Sequence, residues 1–130
     1  MKNIAVIYKS IYGATKKYAT WIAEELGAEL LEQKKVKPND LQKYDLIIYG
    51  GGIYASGISG IDLVTKNPVN SLIVFTVGLA NPETTDYTEI LDKNIPSELK
   101  AKVKVFHLRG NMNYKELSLL HRGMMAMMKK

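Results

Sequence analysis

The stretch Val6-Ile7-Tyr8-Lys9-Ser10-Ile11-Tyr12-Gly13-Ala14-Thr15-Lys16-Lys17-Tyr18-Ala19-Thr20-Trp21-Ile22 holds a strand, a polar turn and the start of a helix, in that order. Ile4 to Tyr8 is a short continuous apolar run, the pattern of a strand buried on both faces. From Thr15 the period changes: Tyr18, Ala19, Ile22, Ala23 and Leu26 fall on one side of a helix, and Gly27 stands where a C-cap is favoured. Between the two lies Ser10 to Thr15. Such a turn sets hydroxyls and successive N–H groups at a helix N-terminus, where the N–H groups lack intrahelical partners and the helix dipole favours an anion. The bland reading is a plain strand-to-helix turn capped by Thr15.

The residue types in that turn narrow the anion. No GxxxxGK[ST] run is present, which excludes a nucleoside-triphosphatase loop of that type. No GxGxxG follows the first strand, which disfavours the usual dinucleotide fold. No acidic pair ends that strand, which disfavours a phospho-acceptor receiver. A site of hydroxyls and amides with no lysine inside it suits a single terminal phosphate.

Outward from this stretch the alternation continues. Ala28 to Gln33 reads as a second, more polar strand, nearer an edge, followed by a basic, proline-containing connection from Lys34 to Lys43. Asp45 to Tyr49 is a third strand that ends in Gly50-Gly51-Gly52. A short helix is predicted within Ile58 to Lys66, closed by Pro68, then a fourth strand at Leu72 to Val77. Pro82 to Lys93 reads as a helix opening on Pro82-Glu83, Val103 to Leu108 as a fifth strand, and Tyr114 to Met128 as a last helix. This alternation predicts one α/β domain over residues 1–130, a doubly wound five-stranded parallel sheet of order 2-1-3-4-5 with helices on both faces. In that order the winding reverses between strands 1 and 3. A ligand is then expected at their carboxyl ends, against Ser10 to Thr15 and Gly50 to Gly60.

Composition sets the outer limits. The chain of 130 residues is 46% hydrophobic and 24% charged, ordinary for a globular domain, and has no cysteine, which excludes disulfides, thiolate metal sites and cysteine nucleophiles. No apolar run approaches a membrane span and no signal-peptide pattern opens the chain, so a cytoplasmic location is expected. The net charge of +5 is uneven: from Lys100 onward eight cations stand against Glu116 alone, so the remainder is slightly acidic. Lys100, Lys102 and Lys104 alternate as cations do where they keep a sheet edge soluble. His107, between Phe106 and Leu108, is expected as a strand histidine and His121 on a helix surface, neither with an acid–base role; Trp21 is expected to pack. On the last helix Leu117, Leu120, Met124, Met127 and Met128 share a face that is expected to cover the sheet, the competing reading being peripheral membrane contact through a basic amphipathic surface.

The Val6 to Ile22 stretch resembles the flavodoxin signature: two aliphatics and an aromatic, then a hydroxyl residue, a small residue, Thr, then Ala and an aliphatic on the helix. The resemblance covers nearly the whole chain. Tyr44 to Ile53, Phe75 to Leu79 and the Leu108-Arg109-Gly110 corner look most like the flavodoxin-type, menaquinone-dependent protoporphyrinogen dehydrogenases. This resemblance implies FMN as cofactor. Ser10, Tyr12, Gly13, Ala14 and Thr15 would hold its phosphate; Gly51, Gly52, Ile53 and Tyr54 would flank one face of the ring system, and Val77, Gly78, Leu79, Ala80 and Asn81 the other. Tyr54 is the candidate for one stacking ring, against the reading that it only covers a core edge, and Tyr87 is the one candidate for the other, against the reading that it simply lies on the helix; no metal site and no catalytic side chain is implied. The resemblance leaves three functions open: an FMN-dependent oxidoreductase linked to a quinone, a one-electron carrier between protein partners, and a fold that no longer binds flavin and serves as an interaction module. A redox partner protein or a quinone is the expected partner and nucleic acid is not; the oligomeric state stays open.

Overall fold

In the first strand, β1 (Ile4–Lys9), every residue but the last is buried, as a strand covered on both faces requires. The structure, a computed structural model, describes residues 3–10, 13–54, 57–78, 86–100, 102–109 and 122. The polar turn leads into α1 (Ala14–Leu26), which buries Thr15, Tyr18, Ala19, Ile22 and Ala23. Four of these form the stripe its period predicts, and the fifth predicted member, Leu26, is partly buried against the same core. The helix closes at Gly27, with the Ala28 N–H reaching back 2.9 Å to the Ala23 carbonyl and so satisfying one of the last orphan acceptors. β2 (Glu29–Glu32) follows and is half-exposed throughout, as expected of an edge. The basic connection makes two short 3₁₀ turns, Gln33–Lys35 and Pro38–Lys43, the second burying Leu41.

The remaining elements are β3 (Leu46–Tyr54), β4 (Gly57–Ile58), α2 (Asp62–Thr65), β5 (Leu72–Gly78), α3 (Thr88–Asn94), α4 (Ser97–Lys100) and β6 (Lys104–Arg109). Five strands form the parallel sheet in the order β2-β1-β3-β5-β6, and β4 folds back antiparallel onto the end of β3. Leaving that two-residue hairpin aside, this is the predicted doubly wound order. One apolar face, with Val6, Ile48, Ile73 and Phe75, packs under α1; the other, with Ile7, Ile47, Tyr49 and Val74, packs under Leu41, Ile58, Ile61 and Val64. Trp21 packs against the first of these clusters, as expected.

Three expectations change. The third strand does not stop at the glycines but runs through Gly50, Gly51 and Gly52 to Tyr54. Its neighbours supply the reason: a Cβ on Gly50 would fall 2.0 Å from Cζ of the Phe75 ring, which fills the space a side chain would need. Among the described residues the run expected as one helix over Pro82–Lys93 is helical from Thr88. Asp86 and Tyr87 lie outside the helix, and the Asp86 carboxylate accepts hydrogen bonds from the Thr88 N–H (2.9 Å) and hydroxyl (2.6 Å), which hold its pKa below the usual range. Lys100 is not part of an alternating strand edge; it ends α4 and pairs with Asp92. The short β4 and α4 have no apolar period long enough to announce them. The helix expected over Tyr114 to Met128 lies outside the described residues except for exposed Arg122.

Candidate functional site

The parallel register brings the carboxyl ends of β1, β3, β5 and β6 into rows. Lys9 pairs with Gly51, Gly51 with Thr76 and Thr76 with His107; one residue further, Gly52 pairs with Val77 and Val77 with Leu108. The turn after β1 rises beside the second row. Gly13 adopts φ +91°, a conformation that L side chains rarely take, although nothing lies within 4 Å of where its Cβ would be. Glycine is needed there for its backbone and not for room. The Gly13 N–H donates to Ser10 Oγ at 2.9 Å, and the Gly13 carbonyl accepts from Lys17 N–H at 3.1 Å. The Ser10 hydroxyl thus accepts one bond inside the turn and still has its own hydrogen to donate. The first turn of α1 carries no acidic side chain, so nothing there repels an anion.

Thr15 and the glycine run meet at this point. Thr15 is almost fully buried. A Cβ on Gly52 would lie 3.7 Å from Thr15 Oγ1 and 3.8 Å from the Val77 carbonyl oxygen, so the bare glycine opens a cradle between helix, β3 and β5. The two proposed ring-flanking segments also meet, since the position of a Cβ on Gly78 is 3.5 Å from Ile53 Cδ1. On the β2 side of the turn, Ser10 and Gly13 also line a hollow of about 500 Å³ bordered by Lys9, Lys16 and Lys34 against one carboxylate, Glu32. The charge around the turn is therefore positive, which suits a phosphate dianion.

Of the residues named from sequence, Ser10, Gly13, Thr15, Gly52 and Val77 are brought together, Ala14 opens the helix beside them, and Gly51 lies one row back. A Cβ on Gly51 would be 2.7 Å from the Ser59 carbonyl, so its bareness serves packing beneath the cradle. Ile53 and Tyr54 are the strand half of the β3–β4 hairpin and not a loop. Tyr12, Leu79, Ala80 and Asn81 lie outside the described residues. Tyr87 is placed otherwise than expected: its ring stacks on His107, centroids 3.6 Å apart and planes within 3°, so that face is not offered to a cofactor. Sequence reasoning missed Thr76 and His107. The one signal was a lone polar residue, Thr76, inside the otherwise apolar run Leu72 to Val77.

The His107 imidazole shares a hydrogen bond of 2.6 Å with Thr76 Oγ1, and burial pushes its pKa down to about 4. It is neutral near pH 7 and lies with Thr76 on the face of the sheet opposite α1, level with the row that holds Gly51. Among the described residues no three His, Asp or Glu side chains are gathered as a metal would need, and no helix is long and apolar enough to cross a membrane.

Comparison with known proteins agrees with this geometry. An uncharacterized protein of Methanocaldococcus jannaschii is 34% identical over 94 residues, a match spanning 68% of this chain and 63% of that protein. The chain thus spans less than two thirds of that relative's length. Oxidised Flavodoxin 2 from Bacillus cereus superposes with a TM-score of 0.66 at 15% identity, covering 95% of this chain and 96% of that one. A flavoprotein from Lactobacillus acidophilus, solved in complex with FMN, superposes with a TM-score of 0.55 at 16% identity, covering 84% and 93%. Residues 5–130 match the flavodoxin domain as a family. With the strand order, the glycine-opened cradle and this match over nearly all its length, the chain belongs to the flavodoxin domain family.

Proposed function

We propose that the chain binds FMN without a covalent bond and takes part in electron transfer. The observation that carries this reading is the Ser10–Gly13 turn leading straight into Thr15, whose hydroxyl stands with the Val77 carbonyl against bare Gly52. That donor set fits a phosphate: two hydroxyls, the first-turn N–H groups of α1, which helix geometry leaves without intrahelical partners, no carboxylate in that turn, and lysines at the border. Family membership and the FMN-bound flavoprotein among the structural neighbours support it. In this reading Ser10, Thr15 and the first-turn amides hold the phosphate, bare Gly52 lets the chain of the cofactor pass close to backbone, and Ile53 and Gly78 bound the ring. The flavin supplies the redox chemistry when bound. The protein orients it and limits its contact with water.

The finer reading is an oxidoreductase of the protoporphyrinogen dehydrogenase type, linked to a quinone. It rests on the sequence resemblance alone, as does a redox partner protein or quinone as partner. The test of the core reading is a titration with FMN and with riboflavin, which lacks the phosphate. Each charge-assisted hydrogen bond to phosphate contributes about 1.5–3 kcal/mol, so FMN should bind at least about a hundredfold more tightly. Thr15→Ala should weaken FMN about tenfold and leave riboflavin unchanged. Equal affinities for the two ligands would remove the phosphate assignment. Turnover with a quinone acceptor would separate an enzyme from a carrier.

A further inference from the structure

We propose that His107 is a positioning residue for the flavin site, and that its imidazole ties the end of β5 to the start of α3. One anchor is Thr76, two residues before the end of β5; the other is Tyr87, the residue before α3. The three side chains come from separate parts of the chain and converge on one face of the sheet. Thr76 is fully buried and pairs with His107 in register, and its hydroxyl is 2.6 Å from Nδ1. Tyr87 is buried as well and lies flat on the same imidazole, 3.6 Å between centroids.

Packing alone would be served by any apolar residue on β6. What a histidine adds is a ring for Tyr87 and a polar edge for Thr76 in a single side chain. Val77 and Gly78 follow Thr76 directly, and they are the described residues of β5 that face Gly52 and Ile53. Fixing Thr76 therefore fixes the backbone that carries Val77 and Gly78 to Gly52 and Ile53, and fixing Tyr87 on the same ring ties the start of α3 to it. The burial that keeps the imidazole neutral keeps this fastening intact at physiological pH.

The idea rests on the FMN reading for its consequence but not for its mechanism, so the experiment has two arms. The first uses the full chain without flavin. Amide hydrogen exchange at Gly78 and at Thr88 should be slow in the unaltered protein and should rise together in His107→Leu, which removes both attachments. A rise at neither site, or at only one, overturns the fastening. The second arm uses the flavin-loaded protein with Thr76→Val, which removes one attachment, and His107→Phe, which keeps the ring for Tyr87 but loses the bond to Thr76. Each should weaken FMN about threefold to tenfold, the span of one neutral hydrogen bond, and the double variant should be no weaker than the worse single one. His107→Asn, which restores a polar edge near the Nδ1 position, should recover affinity relative to His107→Phe. Affinities within twofold of the unaltered protein in every variant, with only thermal stability reduced, would show a structural role and overturn the proposal. If the unaltered protein binds no FMN, the flavin reading falls while the exchange arm still decides the fastening.

Discussion

Gly50 lies directly beneath the ring of Phe75, so close that a Cβ on it would fall 2.0 Å from Cζ and 2.4 Å from Cε2. Both residues are fully enclosed by the sheet and α1, and they are partners in register between β3 and β5. Adding a methyl group there has two opposing effects. The loss of unfolded-chain freedom favours alanine by about 0.4–1 kcal/mol. Forcing the ring from its place costs about 1–3 kcal/mol, so the clash wins. Gly50→Ala should lower the denaturation midpoint, and Phe75→Leu in the same chain should restore part of it. An additive double variant in urea denaturation would show that the two sites do not compete for space.

Gly52→Ala should do the reverse. Its Cβ would meet Thr15 Oγ1 and the Val77 carbonyl at ordinary contact distances, so the fold has room for it. Thermal midpoint should stay level or rise slightly, while FMN affinity falls about tenfold or more because the methyl group occupies the cradle. Calorimetric titration beside a melting curve checks both halves. Unchanged affinity would move the cofactor away from Gly52.

Tyr49 sits fully buried on the opposite face and donates from its hydroxyl to the Ser59 carbonyl at 2.6 Å. Burial holds its phenol well above the usual tyrosine range. Tyr49→Phe leaves that carbonyl without this donor and should cost about 1 kcal/mol, read in urea. In a spectrophotometric titration Tyr49 should fail to ionise until the protein unfolds, and Tyr49→Phe should remove that unfolding-linked absorbance change.

Acid should act through His107. Its folded pKa, about 4, lies below the unfolded value of 6.5 because burial disfavours the cation; the described groups against it are the Thr76 hydroxyl and the Tyr87 ring. Between those two values the unfolded chain binds more protons than the folded one. Stability is therefore complete above about pH 6.5 and declines as pH falls toward 4. Denaturation midpoints taken across that window should slope in the unaltered protein and slope less in His107→Phe. Equal slopes would place the acid sensitivity elsewhere.

Much of this was legible from residues. The run Ile4 to Tyr8 and the stripe Tyr18, Ala19, Ile22, Ala23 fix β1 and α1 because burial on two faces and on one stripe leave different periods. The strand order then follows from alternation and handedness. The glycine run was not legible as strand, since glycine has little preference for one, and only Phe75 and Ser59, contributed from elsewhere, show why side chains are missing there. Tyr87 and His107 were hidden for the same reason: the partners in the stack are far apart along the chain, and no local pattern reports a contact made by topology.

α3 carries an implication for how this family member can vary. At its start is Tyr87, stacked on β6; at its end is Asn94, whose side-chain oxygen accepts the Ile58 N–H of the β3–β4 hairpin at 3.0 Å. One short helix thus acts as a strut between the strand that ends at Tyr54 and the sheet edge at His107. Each helical residue turns the axis by about 100°, so inserting or deleting one within α3 would swing Asn94 away from the hairpin while Tyr87 stayed in place. Length changes here would uncouple the β3–β4 hairpin from the sheet edge at His107, whereas substitutions on the exposed side of the helix would not. In a library of variants, α3 should tolerate changes of letter and reject changes of count.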